Sequence, residues 1–344
     1  MDNQPAIGEP GQVHSQECVQ RFKGWQSGKG QYGSPENSEK GPTMRISPGD
    51  FLRFKKVLNV DEDEKFPRYS WDTPCSTLII RCMPSPLHTK VVSTIWRGLN
   101  YTCRRLPADV ARKIDIVGNQ LFAEFHGECE ESEKIPDATL QVENAVGSPD
   151  VKFVLQAGLS ETYGRLVEDA RMWLEVRKTV SAVILVKIEE SPSYQCQTQK
   201  LSGEESRRLV FPMREGVGAP IFTLEHDYGP AVSKGLTWAG KITGFVEIWR
   251  RDPKSGLAIC TSDRMDLSDS CNLQTKFRLS EFLEVAHEDD CEICFDWEHY
   301  LDNLGRYIKE LEASGCHRML RDLEGPVGYQ RLPLPIPSPS FHGS

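Results

Sequence analysis

At 344 residues the chain can bury one large core or two modest ones, and its 38% hydrophobic and 26% charged residues are ordinary for a globular protein. Its formal charge of −9, from 41 basic and 50 acidic side chains, repels phosphate backbones at long range; that argues against broad nucleic-acid binding and leaves room only for a local basic groove. No apolar run approaches the ~18 residues that a membrane span needs, and Met1-Asp2-Asn3-Gln4-Pro5 lacks the basic and apolar regions of a secretory signal. The expectation is an intracellular protein, cytoplasmic or nuclear, with no membrane partner. The odd count of 11 scattered cysteines points to reduced thiols rather than a disulfide framework.

In chain order, residues 1–45 are rich in Gly, Gln, Ser and Pro and read as a disordered tail. Leu87, Val91, Val92, Ile95, Leu99 and Cys103 recur at helical spacing, which predicts an amphipathic helix over 86–105. Strand-like runs follow at Ile114–Val117, Leu121–Phe125, Ala138–Val142 and Val151–Ala157, with Gly118-Asn119 as a hairpin turn between the first two. A second helix is predicted after Ser160 as N-cap. Its apolar stripe is Tyr163, Leu166, Val167, Ala170, Trp173 and Leu174, with Glu168, Asp169 and Arg171 facing outward. Val180–Ile188 is nearly continuous and apolar, as in a strand covered on both faces.

Residues 191–240 read as a polar insertion with one strand around Arg208–Phe211. Gly244–Arg250 and Gly256–Thr261 then form a hairpin turning at 252–255. Helices near Leu279–Val285 and over Trp297–Ala313 close the domain, so 46–190 is the α/β core and 241–320 a hairpin and helical cap that completes it. In the Pro-rich tail at 321–344, Leu332-Pro333-Leu334-Pro335-Ile336-Pro337 is expected to be extended, as a spacer or a ligand for an aromatic groove.

Several segments in fixed order carry a family likeness. They are Met83-Pro84-Ser85-Pro86-Leu87-His88, Pro136-Asp137-Ala138, Phe153–Glu161, Leu166–Leu174 and Ala182–Lys187. Together they resemble the PD-(D/E)xK nuclease-like superfamily, and within it a group of uncharacterised fungal proteins. The resemblance covers about residues 80–190, with a weaker extension through Phe245–Arg250. It implies a restriction-endonuclease-like α/β fold, a mixed central sheet flanked by helices.

In such enzymes two acids on adjacent strands hold Mg²⁺, which polarises the phosphate and lowers the pKa of an attacking water. A lysine two residues beyond the second acid shares its strand face and steadies the nucleophile. By resemblance Asp137 matches the first acid, Gln156 the second and Gly158 the lysine, while the helical acid falls on Thr89. The metal positions would be Asp137 and Gln156. Glu161 and Lys187 are candidate substitutes for the missing acid and cation.

Asp150-Val151-Lys152 is a literal D-x-K in an alternative register, although Asp150 lies roughly 20 Å along the strand from Gln156. A bland reading stands beside each: Pro136-Asp137 as a turn start, Ser148-Pro149-Asp150 as a turn, and Glu161 as a helix-start acid favoured by the dipole.

Residues 86–113 hold six basic side chains (Lys90, Arg97, Arg104, Arg105, Arg112 and Lys113) against Asp109 alone. With His88 they are candidates for tracking a nucleic-acid backbone, or are simply the solvated side of a helix. Cys291 and Cys294, flanked by His287 and His299, are the one candidate zinc set. Two functions remain open: a degenerate nuclease-like domain (a pseudoenzyme) that binds nucleic acid or protein and needs no cofactor, or an active, divergent Mg²⁺-dependent nuclease using Asp137 with Gln156 and Glu161.

Overall fold

A computed structural model describes residues 15–26, 40–60, 69–81, 85–159, 161–192, 216–269, 273 and 275–324. It is a mixed α/β protein built on a central mixed sheet flanked by helices. The helical elements are α1 (Ser15–Gln26), α2 (Pro48–Leu58), α3 (Pro86–Cys103), α4 (Ala108–Ala111), α5 (Tyr163–Arg171) and α6 (Trp297–Glu324).

The main sheet contains β4 (Ile114–Val117), β5 (Ala138–Glu143), β6 (Pro149–Gly158), β7 (Ala182–Ser191), β11 (Lys241–Arg251) and β12 (Ala258–Cys260). Their order is β12-β11-β7-β6-β5-β4, and β13 (Met265–Asp266) also pairs with β11. The β6–β7 pair is parallel and the other pairings are antiparallel. A parallel neighbour needs a crossover, and α5 supplies it.

Alternation along the strands divides the core into two layers. Phe153, Leu155 and Ala157 of β6 join Ile184 and Val186 of β7 beneath α3 and α6. Val154, Val183, Leu185 and Trp249 lie on the opposite face, under Leu166 and Ala170 of α5 and Trp173 just beyond it. Helix α3 starts where the sequence predicts: Pro86 occupies the first turn, where its missing N–H costs nothing, and the Ser85 hydroxyl accepts the His88 N–H at 3.2 Å. Its buried stripe is Leu87, Val91, Ile95 and Leu99.

Two smaller sheets complete the molecule. β1 (Lys40–Arg45), β2 (Tyr69–Asp72) and β3 (Thr77–Arg81) pair in the order β1-β3-β2 and pack with α1 and α2 around Phe22, Trp25, Phe51, Phe54 and Trp71. β8 (Thr223–Leu224), β9 (Ala231–Ser233) and β10 (Leu236–Ala239) form a sheet against α6. β14 (Phe277–Arg278) pairs with β15 (Glu292–Ile293).

The structure departs from the sequence reading at several places, and the closing helix α6 runs on to Glu324, past the predicted end at Ala313 and into the stretch read as a tail from 321. The stretch read as a tail over 1–45 contains α1 and β1, whose Cys18, Phe22 and Trp25 are buried. Leu121–Phe125 is not a strand; only Phe122 makes a bridge, with Lys134. Phe122 and Phe125 instead anchor a coil edge-on against Trp173, with ring centroids 5.4 and 5.2 Å away. Gly118 is therefore not in a hairpin: a Cβ there would lie 3.0 Å from the Asp137 carbonyl oxygen, so close approach is what glycine allows.

Helix α5 starts from Thr162 and passes into a π-helical turn at Met172–Val176. Its Asp169, expected outward, is buried on Lys134 at 2.5 Å. Residues 279–285 hold a single 3-10 turn, Leu279–Glu281, because Asp290 captures the Ser280 N–H and the Arg278 guanidinium. The part of 191–240 from residue 216 onward carries β8–β10, whereas Arg208–Phe211 and the Pro-rich stretch 325–344 lie outside the described residues.

Candidate functional site

Asp137 stands directly before β5, and its backbone N–H donates to the Leu155 carbonyl at 3.1 Å, so it faces the end of β6 across the ladder. Its side chain is engaged on both oxygens. Oδ2 accepts the Ala157 N–H at 2.7 Å, extending the β5–β6 ladder by a side-chain rung. Oδ1 lies 3.0 Å from Nε2 of His88, which reaches it from the first turn of α3. Asp137 thus joins helix to sheet, and His88, a candidate either to contact phosphate or to order a carboxylate, is turned inward onto this carboxylate with a side chain 14% exposed.

Gln156, Lys187 and Glu247 lie on the α5 face, sharing strand parity with Val154, Leu185 and Trp249 respectively. Gln156 is fully buried, and neither atom of its amide finds a hydrogen-bond partner among the described residues. Gly158 pairs with Lys187 in register. A Cβ on Gly158 would come within 3.1 Å of both the Glu161 Cβ and a Leu166 methyl, so the turn into α5 fills the space that a side chain at this position would need. Glu161 folds over this strand end. Lys187, whose side chain runs to the same end, donates from Nζ to the carbonyls of Leu159 at 3.0 Å and Ile188 at 2.8 Å.

The register therefore brings Asp137, Gln156, Glu161 and Lys187 to one end of the sheet, with His88. The alternative register is not part of this group. Asp150 is opposite Val142, bonds Lys152 at 3.0 Å and accepts from Asn144 at 3.1 Å, at the far end of β6. It is turn chemistry.

The sequence reading missed the neighbouring cluster on β11. The carboxylate of Glu247 is buried and accepts from Tyr163 Oη at 2.9 Å, Trp249 Nε1 at 3.1 Å and Arg264 Nε at 3.0 Å. The Arg264 guanidinium lies 3.8 Å from the Phe245 ring centroid. Burial, then the Glu247 carboxylate, raise the Tyr163 phenol above its usual pKa. The signal available in the sequence was an acid in an otherwise apolar strand, between Val246 and Ile248.

Of the helix cations, Lys90 is not directed at solvent: its ammonium sits over the Tyr307 ring of α6 at 5.3 Å. The i,i+4 stripe that predicts α3 also sets Lys90 beside a second helix, which the sequence does not announce. Arg97, Arg104 and Arg105 are exposed.

These residues do not fit a Mg²⁺ centre. The ion takes several oxygen ligands in octahedral geometry, and this end of the sheet offers a carboxylate already engaged twice, an uncharged amide and the Glu161 carboxylate. Among the described residues no group of three or more His, Cys, Asp or Glu side chains gathers to hold a metal, and that includes Cys291 and Cys294 with His287 and His299. Among them, too, no helix is long and apolar enough to cross a membrane. No protein-family model matches the chain, and no curated protein matches it.

Proposed function

We propose that this chain is a restriction-endonuclease-like domain that has become a binding module and does not hydrolyse phosphodiesters. One observation carries the reading: both oxygens of the Asp137 carboxylate are engaged, by the Ala157 amide and by His88. Each oxygen keeps a lone pair, so the contacts weigh against a metal because they hold the carboxylate in a structural role while, among the described residues, no second acid stands beside it on β6. The neighbouring positions support the same reading, since Gln156 carries no charge, Gly158 carries no side chain and the Lys187 ammonium is directed at backbone carbonyls.

Titration calorimetry with Mg²⁺ and Mn²⁺, alongside nicking of plasmid DNA, tests this on wild type, Asp137→Asn and His88→Ala. Asp137→Asn keeps an acceptor for the Ala157 N–H and so spares the fold. The expected result is no saturable metal binding and no nicking by any of the three proteins. Saturable binding and nicking by wild type that both vanish in Asp137→Asn would overturn the proposal in favour of a divergent Mg²⁺-dependent nuclease using Asp137, Gln156 and Glu161.

A further inference from the structure

We infer that the exposed corner made by the C-terminal half of α3, by α4 and by the start of β4 is a docking surface for single-stranded nucleic acid. Tyr101 is its stacking platform, and Arg97, Arg104, Arg105, Arg112 and Lys113 are its phosphate contacts.

The geometry begins with helix periodicity. Arg97, Tyr101 and Arg104 recur at i, i+4 and i+7, which aligns them on one face, while Val91, Ile95, Leu99 and Thr102 are buried on the other. Tyr101 is 65% exposed, among the most exposed large hydrophobic side chains described. Arg105 holds its guanidinium 5.5 Å from the centre of the Tyr101 ring, a cation–π contact that stiffens the phenol without covering it on both sides. Arg112 and Lys113 are exposed where the chain leaves α4 and enters β4, the edge strand of the main sheet.

Charge makes the corner unusual in this molecule. The chain carries a net −9, and about half of the described cations elsewhere are paired, among them Lys55 on Glu133, Lys134 on Asp169, Arg165 on Glu168, Arg250 on Glu281 and Arg278 on Asp290. Among the described residues none of Arg97, Arg104, Arg105, Arg112 and Lys113 forms an ion pair. The exposed acids on the same elements are Asp109 and Asp115. On β15, which packs against α3, Glu292 is held by Lys276 at 3.2 Å, and the adjacent Asp290 by Arg278 at 2.7 Å.

An acidic protein segment would satisfy the cations but has no use for an exposed, cation-backed ring. A duplex would satisfy them too but hides its base faces. Unpaired bases satisfy both, stacking on aromatic rings while neighbouring cations track the backbone. The corner also lies apart from Asp137: His88 opens α3 and Arg104 follows its end, about 24 Å away along the axis. The partner deepens the binding-module reading above and rests on it only in requiring no cleavage.

The test is fluorescence anisotropy with a labelled single-stranded DNA oligonucleotide of mixed sequence. It uses the full chain across a salt series, with and without Mg²⁺, and a denaturing gel reports oligonucleotide integrity. Wild type should bind with a slope of log K against log salt between about −2 and −3.5, as for three to five neutralised phosphates. Tyr101→Ala should weaken binding roughly tenfold or more, and Tyr101→Phe should restore it because the ring is kept. Arg97→Glu with Arg104→Glu should reduce both affinity and slope. These exposed positions leave the fold intact, which circular dichroism confirms.

No binding by wild type, binding unchanged by the substitutions, or equal binding of a duplex or of polyglutamate would overturn the inference. Cleavage that survives Tyr101→Ala and stops in Asp137→Asn would instead overturn the non-hydrolytic reading and leave the binding surface standing.

Discussion

Lys134 carries an ammonium where almost no water reaches. Its side chain is 1% exposed and lies 2.5 Å from Asp169 and 3.5 Å from Asp72, with Arg165 3.8 Å beyond on the same Asp72 oxygen. Taking one member from such a group leaves the others charged in a low dielectric, at a cost of about 3–5 kcal/mol. We expect Lys134→Met to destabilise the protein by that order, measured by urea unfolding at neutral pH.

The pH dependence adds a sign. Burial pushes the Asp72 carboxyl up, but Lys134, the Cys75 N–H and Arg165 outweigh it and hold the group below its ordinary value of 3.8. A depressed acid contributes stability that is complete above the unfolded pKa and is lost as pH falls through the folded one. Wild type should therefore keep the Asp72 contribution down to about pH 4 and lose it below. In Lys134→Met the main stabilising charge is gone and burial raises the folded carboxyl's pKa, so the acid-side loss of stability that Asp72 causes should shrink or reverse. A titration curve identical in both proteins would show that Lys134 does not hold Asp72.

Nothing in the sequence announces this cluster. Its three carboxyl and ammonium groups come from a loop, a strand and a helix face, and polar residues are by default placed in water. The Asp137–Gln156 alignment was legible through the order of segments that carries the resemblance; that His88 could order a carboxylate was legible from its place at a helix start, but which carboxylate was not, because the contact crosses layers.

Among the elements, the π-helical turn after α5 poses the sharpest local problem. The end of any helix leaves carbonyls without N–H partners. One side chain from β11 answers it: Arg251 donates to the carbonyls of Leu174, Lys178, Arg177 and Val180, with the Nε–Leu174 bond at 2.6 Å and the bond to Lys178 at 3.0 Å. The guanidinium also sets a positive charge at the helix's negative end. We expect Arg251→Ala to cost about 2–3 kcal/mol, in the range of charged hydrogen bonds. Arg251→Lys should recover less than half, because an ammonium lacks the planar fork that reaches several carbonyls at once. Thermal unfolding of the three proteins checks this, and full recovery with Lys would reduce the interaction to charge alone.

The strands β5, β6, β7 and β11 were readable because alternation and apolar runs report burial directly. The coil over 121–125 imitates a strand because Phe122 and Phe125 are buried anchors on a path that makes no ladder. The π turn widens a helix by one residue, and no periodicity over nine residues can reveal that.

At the scale of the whole molecule, the unit around Phe22, Phe54 and Trp71 meets the rest of the fold through two acids, Asp72, held by Lys134 and Arg165, and Glu133. Glu133 takes the Lys55 ammonium at 2.8 Å and the Tyr69 hydroxyl, while its backbone bridges Trp71 in both directions, at 2.8 and 2.9 Å. The unit was hidden in a Gly- and Gln-rich stretch whose composition suggests disorder. The i, i+4, i+7 spacing of Cys18, Phe22 and Trp25 was the contrary signal, too short to outweigh composition but sufficient once α2 supplies a facing stripe. Its hydrophobic cluster is separate from those of the main sheet, so it can open without unfolding β6 or β7. Glu133→Ala leaves the backbone bridge and removes the side-chain clasp on Lys55 and on the buried Tyr69. We expect the opening free energy of this unit to fall by roughly 2–3 kcal/mol, scaled down from a fully buried pair because the Lys55 and Glu133 side chains keep 13% and 12% exposure. Hydrogen exchange resolves it: amides of α1 and α2 should exchange faster in Glu133→Ala while those of β6 and β7 keep their protection. Acceleration spread evenly over both regions would mean that the two units unfold as one, and that Glu133 supports global stability rather than a joint.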